Sequence, residues 1–274
     1  MTTPIKFVAT DLDGTLLDSQ GRVSDRTREA VAAALDAGMY VVPATGRPRM
    51  VATDVMEQLA DICPWWIFAN GSVTWHAPAD ETLRGFFLDP DLARGLVATV
   101  REALPNAGFA VEFPSSVVFE SGFEAVVPQL PTIPPSETVL DHIDGDVQKI
   151  LVFDQRLDID ELFTTVADAV GTSAVPSYSG LPFIELAAGL VTKATAVELL
   201  AADFGLDRSQ VAAFGDNHND LPMLQWAGRS FAMGNATDDA KEAADEIIGL
   251  NDDDAVADTI DRLVAELVAA SPPG

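Results

Sequence analysis

Two aspartates, Asp11 and Asp13, follow an apolar run near the start of the chain, in the segment FVATDLDGTLLDS (residues 7–19). A carboxylate can attack phosphorus, and a second acid nearby can protonate the leaving oxygen and then deprotonate water. Two carboxylates would repel a phosphate dianion, so a hard cation is needed, and oxygen ligands of this kind suit Mg²⁺. This spacing indicates phosphoryl chemistry supported by a metal ion.

The same segment has two other interpretations. Asp-Gly pairs are turn formers, so Asp13 and Gly14 could serve a turn and nothing more. A calcium-binding loop has glycine at its sixth position and glutamate at its twelfth. Counted from Asp11, Gly14 is fourth and Arg22 is twelfth, which excludes that loop.

A second acidic segment, FGDNHNDLPML (residues 214–224), also follows an apolar run. Asp216 could complete a magnesium site, with Asn219 and Asp220 supporting the ligands or contacting phosphate. A simple acidic loop is the alternative. His218 lies within this segment, and we expect it at the surface.

Two further segments offer groups that bind anions. The segment ATGRP (residues 44–48) supplies the Thr45 hydroxyl and backbone N–H groups where a helix is expected to start, which suits a phosphate, although Thr45 could also be a plain N-cap. Lys193 stands at the start of another predicted helix, where the helix dipole disfavours a cation. A bound anion would explain this lysine, and an exposed side chain is the alternative.

The apolar periodicity predicts alternating strands and helices that place these residues. Strands are expected at 5–10, 39–44 and 65–69, with helices at 25–37 and from Pro48 to about Ala60, and a hairpin follows at 70–76. This rhythm predicts a doubly wound, mostly parallel α/β sheet, whose ligand site lies at the carboxyl ends of the strands. Asp11, Asp13, Thr45 and Asn70 all fall at such ends.

The rhythm changes at about residue 80 and returns at Thr192. Between them a helix at 91–104, a proline-rich loop at 127–136, a helix at 157–170 and several short strands indicate a mixed α+β unit. We therefore expect a core formed by residues 1–80 and 186–274, with residues 81–185 inserted as a separate α+β cap domain. After Thr192 the pattern predicts a helix ended by Gly205, strands at 211–215, 230–233 and 246–249, and a final helix at about 253–268.

Taken together, DLDGTLL, ATGRP, Lys193 and GDNHNDLPML form an ordered set, and with it the whole chain resembles the haloacid dehalogenase superfamily of hydrolases. More narrowly, it resembles the Cof-type sugar-phosphatase group. The resemblance implies a doubly wound core with a cap inserted between the third strand and the lysine motif. Members of the group often have Lys-Gly where this chain has Lys193-Ala194.

The resemblance also implies roles for particular residues. Asp11 would be the nucleophile and Asp13 the general acid/base. Mg²⁺ would be held by Asp11, the backbone carbonyl of Asp13, and Asp216. The residues expected to bind or support the substrate are Leu12 and Gly46 through their backbone, Thr45, Arg47, Lys193 and Asn219, with Asn70 and Asp220 in support.

Composition excludes some partners. Sixteen basic residues against 43 acidic ones give a net charge of −27, which argues against nucleic acid and anionic membranes. The single cysteine, Cys63, and the lack of a signal-peptide pattern favour a reducing cytoplasmic location. A small phosphorylated metabolite is the expected partner, and nothing in the sequence indicates an oligomeric state.

Three functions remain open at this point. The first is a Mg²⁺-dependent phosphatase acting on small phosphomonoesters, sugar phosphates or similar metabolites, through an aspartyl phosphate. The second is a phosphomutase, which returns the phosphoryl group to its sugar. The third is a non-enzymatic phospho-acceptor, although Asp13 and a large cap argue against it, because a stable acyl phosphate needs neither.

Overall fold

The strands and helices are taken from a computed structural model, which describes residues 3–59, 61–123, 135–189 and 191–270. The strands are β1 Phe7–Thr10, β2 Tyr40–Pro43, β3 Trp65–Phe68, β4 Val73–His76, β5 Glu81–Gly85, β6 Gly108–Glu112, β7 Val117–Phe119, β8 Lys149–Phe153, β9 Ala174–Ser177, β10 Ile184–Ala188, β11 Val211–Gly215, β12 Arg229–Ala232 and β13 Glu246–Ile247. The helices are α1 Asp25–Asp36, α2 Thr53–Leu59, α3 Pro90–Ala103, α4 Ile159–Val170, α5 Lys193–Asp203, α6 Leu221–Trp226, α7 Asp238–Ala243 and α8 Ala255–Ala270.

The first of the two main sheets is parallel and has the strand order β13-β12-β11-β1-β2. Ala44 pairs with Ile67 in parallel, so β3 lies beside the end of β2. From β1 the chain proceeds to β2 on one side, and from β11 it proceeds to β12 on the other. The strand order therefore reverses between β1 and β11, which is where doubly wound sheets bind their ligands.

The second sheet is antiparallel, with the order β7-β6-β8-β10-β9, and α3 and α4 pack against each other beside it. Its apolar core is a separate cluster drawn from residues 88–186, whereas the core of the parallel sheet uses residues 5–75 and 194–267. The fold is thus the predicted α/β core with an inserted α+β unit. The division at residues 81 and 185 itself stays a prediction; β5 pairs with β4, and β10 belongs to the second sheet.

Local signals in the sequence account for the starts of two helices. Ser24 caps α1 by accepting a hydrogen bond from the Thr27 N–H, and Thr192 caps α5 through Thr195. The segment from residue 70 to 76 turns back to pair β4 with β3, as predicted. The strand β9 was not predicted. Ala60 and most of the predicted loop at 127–136 lie outside the described residues.

The predicted helix start at Pro48 is wrong. Pro48 is extended (ψ 151°), a single turn at Arg49–Val51 follows, and α2 begins only at Thr53. The backbone before it is already hydrogen-bonded elsewhere, since the carbonyls of Thr45 and Arg47 accept from Asn70 N and Ala69 N. These bonds hold residues 45–47 against the turn after β3, so the segment is not free to enter a helix.

Candidate active site

Three carboxylates meet at the switch point of the parallel sheet. Asp11 follows β1, and Asp216 and Asp220 follow β11, the strand that pairs with β1 in register from Phe7–Val211 to Thr10–Phe214. Oxygen atoms of the three side chains lie within 4.8 Å of one another. Two sequence motifs some 200 positions apart are therefore joined by the pairing of two adjacent strands.

Lys193 lies at the centre of this cluster. Its side chain is fully buried, and its Nζ donates to Asp11 Oδ1 at 2.5 Å and to Asp220 Oδ1 at 2.7 Å. Burial alone would lower the pKa of Lys193, but Asp11 and Asp220 outweigh it and raise the pKa, so the ammonium is held in its charged form. The alternative of an exposed lysine is wrong, and Ala194 simply continues the buried face of α5.

The turn after Asp11 brings the chain against Asp216. Residues Leu12–Leu16 form a tight turn in which Gly14 has a φ of 77°, Leu12 is buried, and the Leu12 carbonyl accepts from Leu17 N. A Cβ at Gly14 would lie 2.6 Å from Asp216 Oδ2. Thr15 donates its hydroxyl to Asp216 Oδ1 at 2.8 Å. Glycine is thus needed for both the backbone angle and the close approach.

Burial disfavours the ionised forms of Asp11 and Asp216 unless a cation lies nearby. It raises the pKa of Asp11 well above its ordinary value, while Lys193 acts in the opposite direction. It also raises the pKa of Asp216 to about 7, with a further contribution from Asp220. A divalent cation at this position would relieve both effects.

The donor set fits a hard cation such as Mg²⁺. Asp220 has both oxygens engaged, Oδ1 by Lys193 and Oδ2 by the backbone N–H groups of Asp216 and Asn217. Asp11 and Asp216 each have one oxygen bonded within the protein, to Lys193 and Thr15 respectively. Asp11 and Asp216 are therefore the better candidates for metal ligands, and Asp220 orients the loop and Lys193.

Asp13 lies on the open side of the cluster. Its carboxylate is about half exposed and forms a bidentate salt bridge with Arg47. Arg47 Nε donates to Asp13 Oδ2 at 2.8 Å, and Arg47 Nη2 donates to Asp13 Oδ1 at 2.5 Å. Arg47 also approaches Asp54 at 3.5 Å. A bidentate guanidinium fixes the orientation of a carboxylate, and here it does so where solvent and ligand can reach Asp13.

The loop formed by Thr45, Gly46 and Arg47, called here the phosphoryl loop, lies beside Asn70. The Thr45 Oγ1 accepts from Arg47 N at 3.0 Å, and both Thr45 and Asn70 are buried. A Cβ at Gly46 would lie 3.1 Å from Asn70 Oδ1 and 3.4 Å from Asn219 Nδ2. Asn219 donates to Asn70 Oδ1 at 3.0 Å, so the turns after β2, β3 and β11 are in direct contact.

His218 is half-buried, and the expected surface position is wrong. Its ring stacks on Tyr178 with a centroid distance of 4.5 Å and meets the edge of Phe163 at 4.8 Å. The neighbouring Asn219 N–H donates to the Tyr178 carbonyl at 3.2 Å. The acidic loop is therefore packed against the second sheet and α4, a long-range contact that local sequence does not reveal.

Sequence reasoning also missed three buried charged residues of the second sheet, Glu112, Lys149 and Glu185. Lys149 Nζ donates to Glu185 Oε1 at 2.6 Å and to the Gly46 carbonyl at 2.8 Å. Glu185 Oε2 in turn accepts from Asn70 Nδ2 at 2.7 Å. The sequence contained only a weak sign that Lys149 is buried. It is one of only four lysines, and the rest of its strand is apolar.

A cavity of about 230 Å³ opens between the two sheets. Asn70, Lys193 and Asn219 line it on the side of the parallel sheet, and Ser177 and Ala187 line it on the other. No helix among the described residues is long and apolar enough to cross a bilayer.

Comparison with known proteins identifies the family. The model of the haloacid dehalogenase-like hydrolases matches residues 8–260. The chain belongs to this family. It is 30% identical over 266 residues to the 5-amino-6-(5-phospho-D-ribitylamino)uracil phosphatase YcsE of Bacillus subtilis, covering 93% of this chain and 94% of that protein.

Solved structures agree at the level of the fold. A haloacid dehalogenase-like hydrolase from B. subtilis superposes with a TM-score of 0.83 at 26% identity, covering 94% of this chain and all of the other. The subclass IIB sugar phosphatase BT4131 superposes with a TM-score of 0.82 at 22% identity, covering 94% and 98%. The resemblance to the superfamily is confirmed by the family match, the likeness to the Cof-type group holds at the level of the fold, and the protein is an enzyme of the phosphatase type.

Proposed function

We propose that the protein is a Mg²⁺-dependent phosphatase that hydrolyses small phosphomonoesters through an aspartyl phosphate on Asp11. The contact of Asp11 with the buried ammonium of Lys193, inside the carboxylate cluster with Asp216, carries this proposal. A buried lysine that contacts the nucleophile provides a fixed positive charge where the phosphoryl oxygens would gather.

In the first half-reaction, a carboxylate oxygen of Asp11 attacks phosphorus and the bond from phosphorus to the leaving oxygen breaks. Asp13 donates its proton to that oxygen, which leaves as an alcohol. Asp13 suits this role because its carboxylate is accessible. Arg47 orients the ionised carboxylate and must release one of its oxygens when Asp13 carries the proton. Lys193, the Thr45 hydroxyl and the backbone N–H groups of Gly46 and Leu12 would bind the phosphoryl oxygens.

In the second half-reaction, water attacks the phosphorus of the aspartyl phosphate. Asp13, now ionised, accepts the proton of that water, and the bond from phosphorus to Asp11 breaks to release inorganic phosphate. Asn219 and Asp220 keep the loop after β11 in place, since they bond Asn70 and Lys193 respectively. The same residues thus serve both steps.

The metal site would comprise Asp11, the backbone carbonyl of Asp13, and Asp216. When bound, Mg²⁺ neutralises charge on the reacting phosphoryl group and lets the nucleophile and a dianion approach each other. Thr15 and Gly14 shape this site from the protein side, Thr15 by its bond to Asp216 and Gly14 by making room for it.

The inserted unit, residues 81–185, would act as a cap that supplies substrate specificity. Its contacts with Gly46, Asn70 and Asn219 support a closed arrangement over the site, and the cavity between the sheets would hold the non-phosphate part of the substrate. YcsE is named for a ribitylamino-uracil phosphate. Polyol, sugar, pyridoxal and flavin phosphates are therefore the substrates to compare.

Phosphate release from such a panel, with Mg²⁺ and with a chelator, tests the proposal, with Asp11→Asn as the control. Release that needs metal and is lost in Asp11→Asn is the expected result. Transfer of the phosphoryl group between sugar positions without phosphate release would favour a mutase. A stable phosphorylated Asp11 without turnover would favour a phospho-acceptor.

A further inference from the structure

Lys149 is buried at the start of β8, far along the chain from the predicted catalytic residues. It is 2% exposed, and its Nζ is also 3.5 Å from Glu112 Oε2. Burying an ammonium and two carboxylates is costly unless they are paired, and apolar side chains would pack the strand at lower cost. These charges therefore call for an explanation beyond the packing of the second sheet.

Lys149 and Glu185 both form hydrogen bonds with residues that belong to the parallel-sheet unit. Lys149 donates to the Gly46 carbonyl, and Glu185 accepts from Asn70. Asn70 has a left-handed backbone (φ 55°), which is uncommon for a residue with a side chain. Its side chain is thus held on both sides, by Glu185 through Nδ2 and by Asn219 through Oδ1.

The bond to Gly46 fixes more than one atom. A trans peptide is planar, so its C=O and the following N–H point in opposite directions. Holding the Gly46 carbonyl therefore also directs the Arg47 N–H, which donates to Thr45 Oγ1 at 3.0 Å. With Oγ1 occupied as an acceptor, the Thr45 hydroxyl proton is left to donate to a phosphoryl oxygen.

We propose that Lys149 and Glu185 are positioning residues that hold the phosphoryl loop in its reactive geometry, by fixing Gly46 and Asn70 from the second sheet. The proposal rests on the proposed function for the identity of the bound group. If Lys149 and Glu185 act in this way, the phosphoryl loop reaches its reactive geometry only when the second sheet is docked against it.

The test uses the double variant Lys149→Met/Glu185→Gln. Both charges of the pair are removed together, and the glutamine side chain introduced by Glu185→Gln retains an oxygen that can accept from Asn70. The matched control is Val152→Ala, since Val152 is buried in the same strand within the separate core of the second sheet. Both changes weaken the second sheet, but only the double variant releases Gly46.

Three quantities are measured: steady-state kinetics with a small phosphomonoester, binding of inorganic phosphate by calorimetry with Mg²⁺, and amide hydrogen exchange at Arg47 and Asn70. We expect the double variant to lose roughly 10- to 100-fold in kcat/KM and a similar factor in phosphate affinity, with faster exchange at both amides. Val152→Ala should stay within about twofold of the wild type in kcat/KM and phosphate affinity, because it is remote from the phosphoryl loop.

Equal phosphate affinity and equal amide exchange in the double variant and the wild type would overturn the proposal. So would equal losses in Val152→Ala, because they would show a general effect of a weakened second sheet. If the wild type released no phosphate from any ester, the proposed function would fail instead, and amide exchange at Arg47 and Asn70 would still decide whether Lys149 and Glu185 hold the loop.

Discussion

The Lys193 ammonium lies 2.5 Å from Oδ1 of Asp11, although 182 positions separate the two residues. The contact exists because Asp11 directly follows the central strand β1 while Lys193 begins α5. Asp220 binds the ammonium from the other side. A fixed, desolvated cation of this kind needs no reorganisation when charge develops on a phosphoryl group.

Replacing this lysine should therefore strongly reduce turnover. We expect Lys193→Met to lower kcat/KM by about 10³-fold, as is typical when a preorganised charge is removed from a site. It should also lower the free energy of unfolding by about 3–5 kcal/mol, because two buried carboxylates lose their cation. Phosphate release and chemical denaturation measure the two effects. Lys241→Met, on α7, is the control, and a Lys193→Met variant that retains turnover would contradict the assigned role.

Asp13 should matter for proton transfer and not for metal binding through its side chain. Asp13→Asn is expected to lower kcat by about 10²- to 10⁴-fold. The loss in the first step should be smaller for an ester with an acidic leaving group, such as a nitrophenyl phosphate, which needs no proton. Burst kinetics with the two ester types separate the steps. Asp54→Asn, which changes the other carboxylate near Arg47, should have little effect; similar losses in both variants would argue against Asp13 as the acid.

Short-range signals in the sequence predicted the part of the site that lies at strand ends. Asp11 and Asp216 each follow an apolar run, and the topology that makes those runs adjacent strands follows from the alternation of strands and helices. The start of α1 was predicted as well, and the hydrogen bond by which Ser24 caps that helix is equally local. Such features were accessible because each depends on a few consecutive residues.

Contacts between the two sheets could not be predicted from short stretches of sequence. Glu185 and Lys149 lie 36 positions apart on neighbouring antiparallel strands, and their partners Asn70 and Gly46 come from the other sheet. The apolar residues after Lys149 were only a weak sign that it is buried. For His218, the polar neighbours in the sequence suggested a surface position. Its ring is instead covered by Tyr178, which directly follows β9 and lies 40 positions earlier in the chain.

Gly14 offers a test of the metal site that needs no change to a carboxylate. Gly14→Ala would place a Cβ 2.6 Å from Asp216 Oδ2, so Asp216 or the turn must move. Gly38 has a similar φ of 82°, but nothing lies within 4 Å of a Cβ built there. Both alanine variants should lose about 1 kcal/mol of stability from the left-handed backbone.

Only Gly14→Ala should weaken the binding of the metal ion. We expect its half-saturating Mg²⁺ concentration to rise by about tenfold or more and its kcat to fall, as when groups that orient metal ligands are disturbed. A Mg²⁺ titration of phosphate release, with thermal denaturation alongside, measures both effects. If Gly38→Ala showed the same shift, backbone strain alone would be the cause and the close approach to Asp216 would be irrelevant.

Glu112 should make stability depend on pH near neutrality. Burial raises the pKa of its carboxyl from 4.5 to about 7, with Lys149 acting in the opposite direction. Between these values the folded protein holds a proton that the unfolded chain has lost, so folding takes up a proton and the free energy of unfolding falls as the pH rises. Above about pH 7 the carboxyl is ionised in both states, and its cost becomes constant.

Glu112→Gln removes this ionisation and should flatten the pH profile. From pH 5 to pH 8 the wild type should lose up to about 3 kcal/mol relative to the variant, the amount that corresponds to the shift in pKa. Urea denaturation at a series of pH values measures the difference, and Glu102→Gln, an exposed change on α3, should leave the wild-type slope unaltered. Parallel profiles for Glu112→Gln and the wild type would show that Glu112 is already ionised at pH 5 in the folded protein, with Lys149 outweighing the cost of burial.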